Sequence, residues 1–484
     1  MSDGPNGHTS LDPADWPAFR TLAHRALDDM IDHIETFRER PVWIAAPDAV
    51  RAEFTRDLPR SEGSLASTLD DFERLIKPYA TGNGHAAFMG WVHGAGTPVG
   101  MVAEMLAAGL NANCGGRNHI AIDVERQIAL WMQQAFDFPV GAAGLFVTGT
   151  SMANFLGLLV ARNRRLGDAV RKKGLGAAPQ LTAYASAAAH GCIAQAMELS
   201  GIGSDALRLA PCDAEGALEL DDLRAMVETD RRSGFTPFLV VGTAGSVDIG
   251  AIDPLPALAD FCHENDLWLH VDGAFGALLA FSQRLRPLIA GIEKADSIAF
   301  DFHKWAHVPY DAGFLLVRDG EALRRTFASA NGYLTRAATG LAAGGVWPCD
   351  LGPDLSRGFR ALKTWFTLKV FGADRLGECI AQTCNMAQRL ARHIEASSRF
   401  DLRAPVKLNI VCFSVSSDDP DADNRRIVEH LHVSGLAAPS ITIRDGVAAI
   451  RCAFVNHRTT SSDVDAFVKT LEAAADGVAS RPEA

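Results

Sequence analysis

From about His85 to Gly358 the chain alternates short apolar runs with stretches of helical periodicity, and nothing else in it restricts the fold as tightly. Apolar runs stand at 144–147, 181–185, 237–243, 267–271, 297–301 and 313–318, with helical patterns between them, notably over 152–164 and 222–230. A strand that passes through a helix before the next strand returns parallel to its predecessor. Repeating that unit builds a mostly parallel sheet covered by helices on both faces, so an α/β fold is expected.

The flanks read differently. Over 15–40, Leu22, Ala26, Met30 and Ile34 recur at helical spacing until Pro41 stops the pattern, and 68–76 suggests a further helix. After Arg360 a long helical stretch precedes apolar alternation near 408–415 and 447–455. Three parts are expected: an N-terminal helical segment over 1–85, a large α/β domain over 86–359 and a smaller α+β domain over 360–484. A chain of 484 residues, 48% hydrophobic, has ample material for such cores.

The formal net charge of −12 argues against a nucleic-acid partner or an anionic membrane surface. No apolar run is long enough to span a bilayer, and the polar opening MSDGPNGHTSLD lacks the layout of a signal peptide. Nine cysteines without a CxxC pair suit reduced, buried thiols, a cytoplasmic location and no metal site.

Chemistry concentrates between His270 and Trp305. The run LWLHVDGAFG delivers Asp272, and DSIAFDFHKW delivers Lys304 near its end. A lysine amine at the end of a buried strand is costly to keep charged, which favours a neutral nucleophile able to form a Schiff base with a carbonyl cofactor. A carboxylate one strand away can hold a pyridinium nitrogen protonated, and together they describe a pyridoxal phosphate site. A phosphate needs backbone N–H groups at a helix start. The run GLFVTGTSMANFLGLLVAR supplies a strand, then Thr148, Gly149, Thr150 and Ser151, then a helix; Ser151 equally suits an N-cap.

These segments resemble the group II pyridoxal-phosphate-dependent amino-acid decarboxylases, the aromatic-amino-acid and glutamate decarboxylase-like enzymes. The likeness is sharp over 148–163, 184–190, 268–275 and 294–305. It implies a fold-type I enzyme with pyridoxal 5'-phosphate on Lys304, Asp272 at the ring nitrogen, and Thr150, Ser151 and His303 near the phosphate. It implies that His190, in AYASAAAHG, stacks on one ring face while Ala274 packs on the other. In VVGTAGSVDIG the family's paired hydroxyl residues become Ser246, which can still hydrogen-bond, and Val247, which cannot.

Tyr333, in a glycine-rich stretch suited to a mobile lid, matches the tyrosine that returns a proton to the substrate carbon. Phenylalanine there accompanies aldehyde synthases, so these and aminotransferases are the alternative chemistries. A non-catalytic scaffold would require none of these residues, and no GxGxxG turn supports a dinucleotide enzyme. Arg117 is either a clamp for a substrate carboxylate or a surface ion-pair residue. Arg451 is either a second carboxylate ligand or a strand-end charge. The small, polar residues around Arg117 lean toward a polar or acidic substrate side chain. The resemblance further implies a homodimer wrapped by the N-terminal helices, with the active site at the subunit interface.

Overall fold

The computed structural model describes residues 10–329 and 335–479. Its larger sheet has seven strands: β1 (Ala143–Val147), β2 (Leu181–Ser186), β3 (Leu207–Ala210), β4 (Thr236–Thr243), β5 (Trp268–Asp272), β6 (Ser297–Asp301) and β7 (Gly313–Val317). They lie in the order β1-β7-β6-β5-β4-β2-β3. The series β3-β2-β4-β5-β6 is parallel, and β7 runs antiparallel to both of its neighbours. The sheet is therefore mostly parallel, as the alternation requires. Strands β2, β5, β6 and β7 are buried along their whole length, because helices cover both faces.

The sequence reading did not include β3. It is a short edge strand, LRLA, whose Arg208 pairs with Asp230 at 3.1 Å, so its apolar signal is broken by a charge that tertiary structure satisfies.

Parallel strands deliver their carboxyl ends to one edge of a sheet, where α/β proteins build their sites. Here that edge carries Thr243 at the end of β4, Asp272 at the end of β5 and Asp301 at the end of β6. The helix Thr150–Leu166 starts beside them, three residues after β1. Lys304 stands not in the strand but in the single helical turn Phe302–Trp305 that follows β6.

The helix Arg360–Ala396, interrupted at Gly372, leads to a second, antiparallel sheet. Its strands β8 (Phe400–Leu402), β9 (Ile410–Val415), β10 (Ser440–Arg444) and β11 (Val447–Ala453) lie in the order β10-β11-β9-β8. Residues from this sheet and from the helices Pro420–Val433 and Ser461–Ala479 share one core that includes Phe413, Leu431 and Leu471. A bridge from Phe88 to Ala438 joins this unit to the segment that precedes the large sheet.

The first described helix, Trp16–Glu35, is capped by Asp15, which accepts from the amide of Ala18. It buries no residue, and Trp16, Phe19 and Ile31 remain exposed. All nine cysteines are free, six of them buried. Among the described residues no helix is long and apolar enough to cross a membrane.

Candidate active site

A cavity of about 450 Å³ opens at the carboxyl edge of the large sheet. Lys304, Asp272, His190, Thr150, Ser151, Ala274, His303 and Ser246 all line it, although their elements are scattered over more than half of the large sheet's span. The site is built around Lys304. Its Nζ lies 3.0 Å from Oδ2 of Asp301, a residue the sequence reading left in the strand and gave no role. The other carboxylate oxygen, Oδ1, accepts the amide of Thr150 at 2.7 Å. One side chain thus ties the lysine turn to the start of the helix Thr150–Leu166. The signal was present in the sequence, as an acid three residues before the lysine at a strand end.

Asp272 is buried at the floor. Burial pushes its carboxyl up, and the nearby Lys304 charge and two donors oppose that. The donors are Asn154 Nδ2, 2.9 Å from Oδ2, and the Ala274 amide, 3.1 Å from Oδ1. Asn154 is a second residue without an assigned role, one helical turn beyond Thr150.

Among the described residues the buried Thr150 hydroxyl has no partner, which fits a site that takes an acceptor such as phosphate. His303 accepts the Ala312 amide at Nδ1 (3.0 Å), so its proton sits on Nε2, 3.5 Å from Asp301. Burial lowers this imidazole to about 4 and keeps it neutral. His190 is exposed to the cavity, its Nδ1 accepting the Cys192 amide at 3.2 Å. Ser246 is buried, and its Oγ accepts the Ala251 amide at 3.0 Å, leaving the hydroxyl hydrogen free to donate.

One wall was not anticipated at all. Trp91, His93 and Tyr310 line the cavity, with His93 stacked 5.7 Å from Trp91 and edge-on to Tyr310 at 6.3 Å, and Tyr310 lying 4.3 Å from His303. A Cβ on Gly94 would collide with the carbonyl oxygens of His303 and Lys304, so this wall rests directly on the lysine turn.

Two candidates lie elsewhere. Arg117 stacks on Trp347 at 4.9 Å and does not line the cavity. Arg451 is buried in β11, where it donates to the Asp248 carbonyl at 3.2 Å and to Ser440 at 3.1 Å, a structural tie between the two sheets' units. Tyr333 falls outside the described residues.

The pyridoxal-dependent decarboxylase conserved domain matches residues 47–416. An aromatic-L-amino-acid decarboxylase of Bacillus atrophaeus is 30% identical, covering 95% of this chain and 96% of its own. The solved 4-hydroxyphenylacetaldehyde synthase of Rhodiola rosea is 26% identical with a TM-score of 0.86, over 97% of this chain and 100% of that one. The solved structure of Oryza sativa TDC with PLP and tryptamine has a TM-score of 0.89 at 23% identity, over 97% of this chain and 99% of that one, and speaks for the fold alone.

Proposed function

The chain belongs to the pyridoxal-dependent decarboxylases and is a pyridoxal-phosphate-dependent amino-acid decarboxylase, and on that premise we propose that Lys304 carries the cofactor and that the substrate is an L-amino acid with an aromatic side chain. The observation that carries the substrate class is the wall of Trp91, His93 and Tyr310, which lines the same cavity as Lys304. Flat rings offer apolar faces and edges to another ring. Arg117, the basis for a polar or acidic substrate, sits on Trp347 instead. The aromatic-amino-acid relative points the same way.

When bound, the cofactor supplies the electron sink for the pair released as carbon dioxide departs. The protein's part is orientation and proton control. Lys304 holds the cofactor's aldehyde carbon, and Asp272 holds a proton at its ring nitrogen. Thr150 and Ser151, at the start of the helix Thr150–Leu166, hold the phosphate, with neutral His303 beside them. His190 and Ala274, both lining the cavity, would bracket the ring, and the Ser246 hydroxyl would donate to cofactor or substrate. Tyr333 gives its phenolic proton to the substrate's α-carbon, which favours amine as product over the aldehyde route.

The test is borohydride reduction followed by peptide mass spectrometry, with carbon dioxide, amine, ammonia and aldehyde scored against a panel of aromatic, acidic and aliphatic amino acids. An adduct on Lys304, and amine from an aromatic substrate, are expected. An adduct elsewhere, or turnover confined to acidic amino acids, refutes the corresponding part.

We also propose a cytoplasmic homodimer with its active sites at the interface. Exposed Trp16, Phe19 and Ile31, on a helix that buries nothing in its own chain, support a second copy as their cover. Sedimentation should give twice the chain mass. Units over 1–85, 86–359 and 360–484 remain our proposed division, supported by the confinement of each sheet to one of the last two.

A further inference from the structure

Five buried polar side chains form a row that ends on Asp272, and their chemistry leaves one arrangement of hydrogens. Trp268 Nε1, which can only donate, lies 2.8 Å from Ser297 Oγ. Ser297 Oγ lies 2.7 Å from His270 Nδ1. His270 Nε2 lies 2.8 Å from Asn154 Oδ1, and Asn154 Nδ2 lies 2.9 Å from Asp272 Oδ2.

At the Asp272 end, a carboxylate takes a hydrogen from the Asn154 amide, so the amide oxygen faces His270 and His270 Nε2 must carry a proton. Complete burial holds this imidazole neutral, lowering it to about 3, so Nδ1 is bare and accepts from Ser297. The Ser297 oxygen is then left to accept from Trp268. Every bond points toward Asp272.

The row answers a specific difficulty. A carboxylate this deeply buried is disfavoured as an anion unless donors face it. An unsupported Asn154 amide could rotate and turn its oxygen on Asp272, and the tautomer of His270 forbids that. The helix makes room for the imidazole: a Cβ on Gly157 would stand 2.7 Å from Cε1 and 2.8 Å from Nδ1 of His270.

We propose that Trp268, Ser297, His270 and Asn154 act as a one-directional donor row that keeps Asp272 ionised and aimed at the cofactor's ring nitrogen, which makes Asn154 and His270 positioning residues. The inference rests on the reading of Asp272 given above. A merely structural row, tying the helix Thr150–Leu166 to β5 and β6, would affect any ligand of the cavity alike.

The experiment compares apo-protein binding of pyridoxal phosphate with binding of its carbocyclic analogue, in which C–H replaces the ring nitrogen. Asn154→Ala and His270→Phe should weaken pyridoxal phosphate by roughly tenfold, the scale of one lost charge-assisted hydrogen bond, and leave the analogue unchanged. His270→Gln, whose amide can accept from Ser297 and donate to Asn154, should restore the preference. Ser297→Ala, a smaller deletion, should show the same selective loss at reduced size even if the larger changes fail to fold. Equal weakening of both ligands in these variants overturns the proposal. Asp272→Ala separates the two readings: if it leaves the ratio of the two affinities at the wild-type value, the role of Asp272 itself is wrong, and the row falls with it.

Discussion

Asp301 and Lys304 face each other across one turn, carboxylate Oδ2 to amine Nζ at 3.0 Å. The same carboxylate accepts the Thr150 amide, so charge, lysine position and helix start are coupled through one residue. Asp301→Asn keeps the shape and an acceptor for Thr150 but removes the charge. Cofactor affinity and kcat should each fall by at least about tenfold, as for loss of a buried charge-assisted bond. Titrating apo-protein with cofactor, alongside steady-state rates, measures both; wild-type values for the pair would leave Asp301 without a role.

Gly94→Ala places a methyl group against the His303 and Lys304 carbonyl oxygens. Backbone cannot yield there without moving the lysine turn. The variant should bind less cofactor at saturation, read from visible absorbance per chain. Full occupancy with normal turnover would mean that the aromatic wall and the lysine turn are not mechanically linked.

Arg357 pairs with Glu125 at 2.7 Å in the interior and also donates to the carbonyls of Cys114 and Phe146. Removing one partner of a buried pair strands the other charge. Arg357→Met should cost about 3–5 kcal/mol in chemical denaturation. Adding Glu125→Leu should recover a large part of that loss. A single variant as stable as the wild type would contradict this account.

Three buried histidines and the half-buried His457 set an acid limit on the apo-protein. Burial lowers His303 and His457 to about 4, His270 to about 3 and His307 well below its ordinary value. The unfolded chain takes up these protons first, so stability is constant above pH ~6.5 and falls below it by about 1.4 kcal/mol per unit per histidine. Asp253, raised by burial to about 6, has the opposite sign, because the folded form binds its proton first and gains stability as the pH drops below 6. Asp272 and Asp296, also raised by burial, add to that offset, while the half-buried His33, lowered to about 4, adds to the other side, so the histidines outnumber the opposing carboxyls. Urea midpoints should therefore be lower at acid pH than at neutral pH, and equal midpoints across that range would count against neutral burial of these rings.

Much of the architecture was readable because it follows local periods. Apolar runs marked six strands of the larger sheet, and β3 escaped because Arg208 interrupts it and finds its carboxylate, Asp230, on another element. The candidate site was readable where a side chain closes a strand, as Asp272 does, opens a helix, as Thr150 does, or stands just beyond a strand end, as Lys304 does. Arg117 and Arg451 stayed open between two readings because an arginine in sequence shows its charge but not its partner. One went to an indole face and the other to a carbonyl and a hydroxyl.

Strand and helix periods, together with the residue types at their ends, sufficed to name the fold class and the cofactor and to single out Lys304 as the residue proposed to carry it, since each is a property of neighbouring residues. The partners of those residues were another matter. Asp301 reaches Thr150 across 151 positions and His270 reaches Asn154 across 116. Such pairs exist because parallel strands of one sheet bring their carboxyl ends together. The order and register of those strands come from packing both faces of the sheet at once, and no local stretch of chain carries that information.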